Sequence, residues 1–141
     1  MNLTTVTIVG LVALAALIWL YLRMRSKDLI DEMMAKRRAS ARLVSRADFV
    51  EGLERIPVAL ALTTDMICYE NPDLDASLEL KHIEEVEYDD ETATGQSVDG
   101  KALRLRSHGH TFEFVLDPNT ARQWESTLPR KRMDQGTAQA V

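Results

Sequence analysis

The sequence predicts two unlike parts: an N-terminal transmembrane α-helix, then an α+β, mainly β domain of seven short antiparallel strands, closed as a barrel by a C-terminal helix. Three observations predict it. Residues 1–22 carry no charged side chain. From about residue 42 the apolar positions alternate in short runs separated by turn residues, the period of strands. After Asp117-Pro118 the period becomes helical again, with Ala121, Trp124 and Leu128 at i, i+3 and i+7.

The first element is VTIVGLVALAALIWLYL, within an apolar stretch over residues 3–22. At 1.5 Å per residue it reaches roughly 30 Å, the hydrocarbon thickness of a bilayer. A cleaved signal peptide fits poorly, because no basic segment precedes the stretch, the stretch is too long, and no small-x-small site follows it. Trp19 and Tyr21 sit near its end, and Arg23, Arg25 and Lys27 follow at once, which makes these five the expected membrane-interface residues. Met1-Asn2 carries no basic group, so the positive-inside rule puts the N-terminus outside and the rest in the cytoplasm, on a plasma (inner) membrane. No small-xxx-small pair lies in the stretch, so nothing there supports a homo-oligomer.

The second element is a basic juxtamembrane helix over residues 23–41. It has good helix formers and neither Gly nor Pro. Leu29, Ile30, Met33 and Met34 make an apolar stripe at helical spacing, too short for a coiled-coil seam. The first three cations are placed for anionic lipid. Lys36-Arg37-Arg38 lies about 14 Å further along a helix, beyond one Debye length unless the helix bends back.

The domain follows over residues 42–130. Strands are expected at 44–52, at 56–63 (IPVALALT, with Val58, Leu60 and Leu62 on one face and Pro57 at the start), at 66–70, at 77–81 and at 83–88. Asn71-Pro72-Asp73 is a break, and residues 89–100 are expected as a polar loop. Residues 101–107 and 111–116 pair around His108-Gly109 as the clearest hairpin, with Leu103, Leu105, Phe112 and Phe114 inward. Asp117 is an N-cap, Pro118 is preferred at the first helical position, and Pro129 ends the helix. Residues 131–141 are a polar tail with little to order them. No helix lies between the strands to carry a parallel crossover, so the sheet is antiparallel.

These strands and the Trp-bearing helix resemble the pleckstrin-homology (PH) superfold, in particular its GRAM-like and bacterial PH-like members. VALALTTDMICYEN is similar to their G-x-L-x-L-T-x-x-x-L-x-Y core strands, with Ala59 where Gly is common, and LELKHIEEVEY to the following L-x-L-x-x-I-x-x-V stretch. The helix with Trp124 is similar to the one that closes the PH barrel. The resemblance implies that partner peptides use the groove or edge beside that helix. It departs at RADFVEGLER, where the basic cluster of phosphoinositide-binding members is replaced by Arg46 and Arg55 mixed with Asp48, Glu51 and Glu54.

Composition bounds the function. The 141 residues hold 17 basic and 22 acidic side chains, and 45% are apolar, which excludes a disordered chain and a polytopic membrane protein. The charge is segregated: residues 23–46 hold 8 basic and 3 acidic groups, residues 47–128 hold 6 and 18. An acidic domain excludes nucleic acid as the main partner and disfavours anionic headgroups at the barrel. The lone Cys68 excludes an intrachain disulfide framework and a cysteine-rich zinc site. Glu84, Glu85 and Glu87, within the densest acidic run, read as a solvated edge-strand face or as a surface for a basic partner. His108 and His110 can share a strand face, yet a metal needs a third ligand that the spacing does not supply. No nucleophile, phosphate-loop or redox motif occurs, so no catalysis, resident metal or cofactor is predicted. The expected function is a membrane-tethered, non-catalytic adaptor that binds a protein or peptide through Glu84, Glu85, Glu87 and Trp124. The alternative is lipid sensing through the basic neck, and a small metal-binding or hydrolytic domain is third.

Overall fold

The computed structural model describes residues 2–132; of the polar tail, residues 133–141 lie outside them. The first element, α1, is a single helix over Leu3–Arg38. One helix thus contains the apolar stretch and the basic segment with no break between them. By length and composition α1 is apolar enough to cross a membrane, and its most apolar 18-residue stretch is wholly unburied.

Seven strands follow: β1 (Leu43–Glu51), β2 (Glu54–Leu62), β3 (Met66–Asn71), β4 (Leu74–Glu79), β5 (Ile83–Glu91), β6 (Ser97–Ser107) and β7 (His110–Leu116). All pairings are antiparallel, in the order β4-β3-β2-β1-β7-β6-β5. The expected closed barrel is corrected here, because among the described residues no ladder joins β4 to β5 and the sheet stays open. A 3-10 turn, Leu80–His82, separates those two strands, and the Leu80 N–H donates to the Asp65 carbonyl at 2.9 Å. That bond draws the chain towards the β2–β3 turn, so β4 and β5 do not meet as a hairpin. The β1–β7 ladder is only two pairs long, Asp48 with Val115 and Phe49 with Phe114. Even so, one core cluster takes Val58, Leu60 and Ile67 from one half and Leu103, Leu105 and Phe114 from the other, so the open sheet curls around a shared interior.

The second helix, α2 (Pro118–Thr127), seals that interior. Asp117 caps it by accepting from the Thr120 N–H at 2.8 Å, and Pro118 occupies its first turn. Ala121 and Trp124 are buried against the sheet. The Lys131 backbone then pairs with Val86 through two bonds, 2.8 and 3.0 Å, along the outer edge of β5.

Several boundaries differ from the sequence reading: α1 stops at Arg38 rather than at residue 41, and Lys131, expected in the tail, pairs with β5. Residues 89–100 are mostly strand, leaving a short turn around Thr92–Gln96. That turn is held by the buried Glu113 carboxylate, which accepts from the Ala93 N–H at 2.9 Å, and by the Thr92 hydroxyl, which accepts from the Gln96 N–H at 3.1 Å. The fourth strand starts at Leu74, directly after the Pro72-Asp73 turn. The β6–β7 hairpin turns on His108 and Gly109, both left-handed, the conformation of a two-residue type I′ turn.

Candidate functional site

The most informative surface is where the helix meets the sheet. β2 buries both faces: Val58, Leu60 and Leu62 point into the core, and Ala59 and Ala61 lie on the opposite face. Methyl-sized side chains let a helix backbone come close. Ile30 and Met34 of α1 pack there with Ala59, flanked by Met33 and Val44. Two ion pairs pin the edges of this contact. The Arg37 Nε donates to the Glu70 carboxylate of β3 at 3.0 Å, and that bond raises the guanidinium above its ordinary range. The Arg46 Nε donates to Asp31 at 3.0 Å, and its Nη2 also donates to the Lys27 carbonyl at 3.3 Å. The apolar stripe of the neck is therefore a docking face for the chain's own sheet. The helix does not bend back, so Lys36-Arg37-Arg38 stays remote from residues 3–22.

Above the docked turn opens a cleft of about 590 Å³ between α1, β1, β2 and the corner where β7 enters α2. Four cations line it, Arg23, Lys27, Arg46 and Arg55, together with three carboxylates, Asp48, Asp99 and Asp117. Gly100 shapes its floor: a Cβ there would stand 1.9 Å from the Leu116 carbonyl oxygen, so β6 approaches the β7 corner as only glycine permits. Of the five residues expected at a membrane interface, Trp19, Tyr21, Arg23 and Arg25 are solvent-exposed on α1, as is Lys27. Arg23 also lies over the Trp19 ring, 5.2 Å from its centroid. Only Arg23 and Lys27 of the five reach the cleft. The sequence reading missed this site because Arg55, Asp99 and Asp117 join it through strand pairing rather than through spacing.

The acidic run is largely answered by its own sheet. Arg104 of β6 pairs with Glu87 at 3.1 Å, with Asp89 at 3.5 Å and with the buried Glu113 at 3.0 Å. Burial works to lower this guanidinium, and the hydrogen bonds it donates to Glu113 and Glu87 outweigh it, leaving it raised. Arg106 stands 3.9 Å from Glu84 and is the cross-strand neighbour of Glu85. Glu84, Glu85 and Glu87 thus belong to a cross-strand ion network, which blunts their attraction for an outside cation.

Trp124 requires a correction. It is fully buried, and its Nε1 donates to the Ser45 hydroxyl at 2.8 Å, so it anchors α2 to β1 and presents nothing to a partner. Cys68 is buried against the same sheet face as Ala61, and burial pushes its thiol up, away from the reactive thiolate. His82 lies 4.7 Å ring to ring from His108 and bonds Glu79 at 3.0 Å, while no group of three metal-ligating side chains occurs among the described residues. No family model, curated protein or solved structure matches the chain.

Proposed function

We propose that this is a single-pass membrane protein, N-terminus outside, whose PH-like, GRAM-like domain works on the cytoplasmic side of a bacterial inner membrane as a non-catalytic adaptor. The observation that carries it is the unbroken α1, apolar over its first 20 residues and docked on the sheet from Ile30 onward. A helix that leaves a bilayer and packs on a domain within eight residues holds that domain at about 12 Å from the hydrocarbon boundary and in one orientation. A fixed height and a fixed face are what a tethered binding surface needs, and a flexible linker would supply neither.

The two sheet edges differ in availability. Lys131 occupies part of β5, whereas β4 has no strand on its outer side among the described residues. Asp73 and Asp75 are exposed along β4 and its entry turn, whereas the exposed Glu79 already pairs with Lys81 and His82. This edge suits strand addition by a basic, extended peptide. A photo-crosslinking residue at Ser77, in the full chain in native membranes, is expected to give a discrete protein adduct that disappears when Asp73 and Asp75 are replaced by Lys. Lipid adducts alone, or none, would overturn the adaptor reading.

The cleft favours a second reading, recognition of a phospholipid headgroup by Arg23, Lys27, Arg46 and Arg55. The outcome at Ser77 separates the two, since the lipid reading expects no protein adduct there, whatever lipid adducts the same crosslinker gives at Arg55.

A further inference from the structure

We infer that the β1–β2 hairpin tip is a second membrane contact, with Leu53 set into the interfacial layer of the bilayer that α1 enters. The inference rests on the reading of α1 as a membrane span.

Three observations place the tip. First, β1 runs back along α1 in the opposite direction. Val44 packs against the cluster of Ile30, Met34 and Ala59, Arg46 bonds Lys27 and Asp31, and Asp48 shares the cleft with Arg23 and Lys27. Second, the distances suffice. From Arg46 to the tip at Gly52 is six strand residues, roughly 20 Å, whereas the helix needs only about 10 Å to climb from the level of Arg46 to Leu22. The tip therefore comes level with the last apolar turn of α1 even if only half of the strand's rise is directed along the helix. Third, Leu53 is 73% exposed, and it is the one large apolar side chain outside α1 that is exposed to this extent among the described residues.

The tip is built for this placement. Gly52 takes the left-handed conformation (φ 64°), so the turn is tight and Leu53 projects from its end. Glu51 and Glu54 flank Leu53, so the contact is apolar and tethered rather than an attraction to negative lipid. It forms on a zwitterionic surface and does not require anionic lipid. Between the two contacts lies the cleft with Arg23 and Arg55 on its walls, at the depth of the headgroups.

The test uses the full chain in phosphatidylcholine nanodiscs, with Cys68→Ala to leave one thiol. A fluorophore is attached at Leu53→Cys, at Thr64→Cys in the β2–β3 turn at the far end of the same strands, or at Ala13→Cys inside α1. Spin labels are carried either near the lipid headgroup or deep in the acyl chain. The expected result, on phosphatidylcholine alone, is shallow-label quenching at 53 several-fold stronger than at 64 and deep-label quenching at 13, with quenching at 53 retained or raised when half the lipid is made anionic. Quenching at 13 with none at 53 beyond that at 64 overturns the inference and leaves the span intact. Quenching at neither 13 nor 53 overturns both. Quenching at 53 only on anionic lipid also overturns it, because the contact would then be electrostatic.

Discussion

Tyr88 shows how a single polar atom ties the last helix to the sheet. Its hydroxyl donates to the Leu128 carbonyl at 2.6 Å, at the end of α2, while its ring fills the core. Burial pushes the phenol well above its ordinary value. Tyr88→Phe leaves that carbonyl without its donor and is expected to cost about 1–2 kcal/mol near neutral pH. The sign of the pH dependence follows from linkage. Below about pH 10 the phenol is neutral folded and unfolded, and its contribution is constant. Above that, the unfolded chain ionises first, so stability falls as pH climbs towards the raised folded value. Denaturation midpoints at pH 7 and pH 11 check this: the gap between wild type and Tyr88→Phe narrows at pH 11, and an unchanged gap contradicts it. Trp124 teaches a related lesson. The sequence placed it correctly on the inward stripe of α2, yet its partner Ser45 lies 79 positions away, and no local pattern announces a hydrogen bond at that separation.

At the scale of elements, what was legible was what is local. The β6–β7 hairpin, the Asp117-Pro118 helix start and the core face of β2 follow from turn chemistry, capping and alternation, and each stands where expected. The second face of β2 was also written in the sequence, as the small residues of IPVALALT, but its meaning depends on a helix that precedes it by more than twenty positions. Likewise the stripe of Leu29, Ile30, Met33 and Met34 gave the period of a buried face without naming what buries it. The open sheet was hidden for the opposite reason: strand pattern fixes pairing preference, and a three-residue turn decided whether the end strands meet. Ala59→Leu is the direct probe of the helix–sheet contact. A side chain forced between β2 and α1 is expected to cost about 1–3 kcal/mol and to loosen residues 30–38. Hydrogen exchange together with a denaturation curve reads both, and unaltered protection with unaltered stability would mean that the contact does not hold the domain.

At the scale of the whole molecule, the bulk averages mislead because they sum unlike parts. The net charge of −5 joins an uncharged apolar stretch, a basic helix and an acidic domain, and the structure folds the second onto the third through Arg37–Glu70 and Arg46–Asp31. The domain is therefore incomplete without residues 27–38. A truncated chain beginning at Arg42 exposes Val44 and Ala59 and loses both ion pairs. It is expected to melt lower than the full chain and to bind a hydrophobic dye, whereas a truncated chain that melts alike without binding dye would show the helix to be dispensable. The position of α1 ahead of the strands has one more consequence, in the order of synthesis. Domains assemble as they leave the ribosome, N-terminal part first. The helix that packs on Ala59 is thus made before that alanine exists, and if its first 20 residues are threaded into the bilayer at once, every later strand condenses on a scaffold that is already fixed in place.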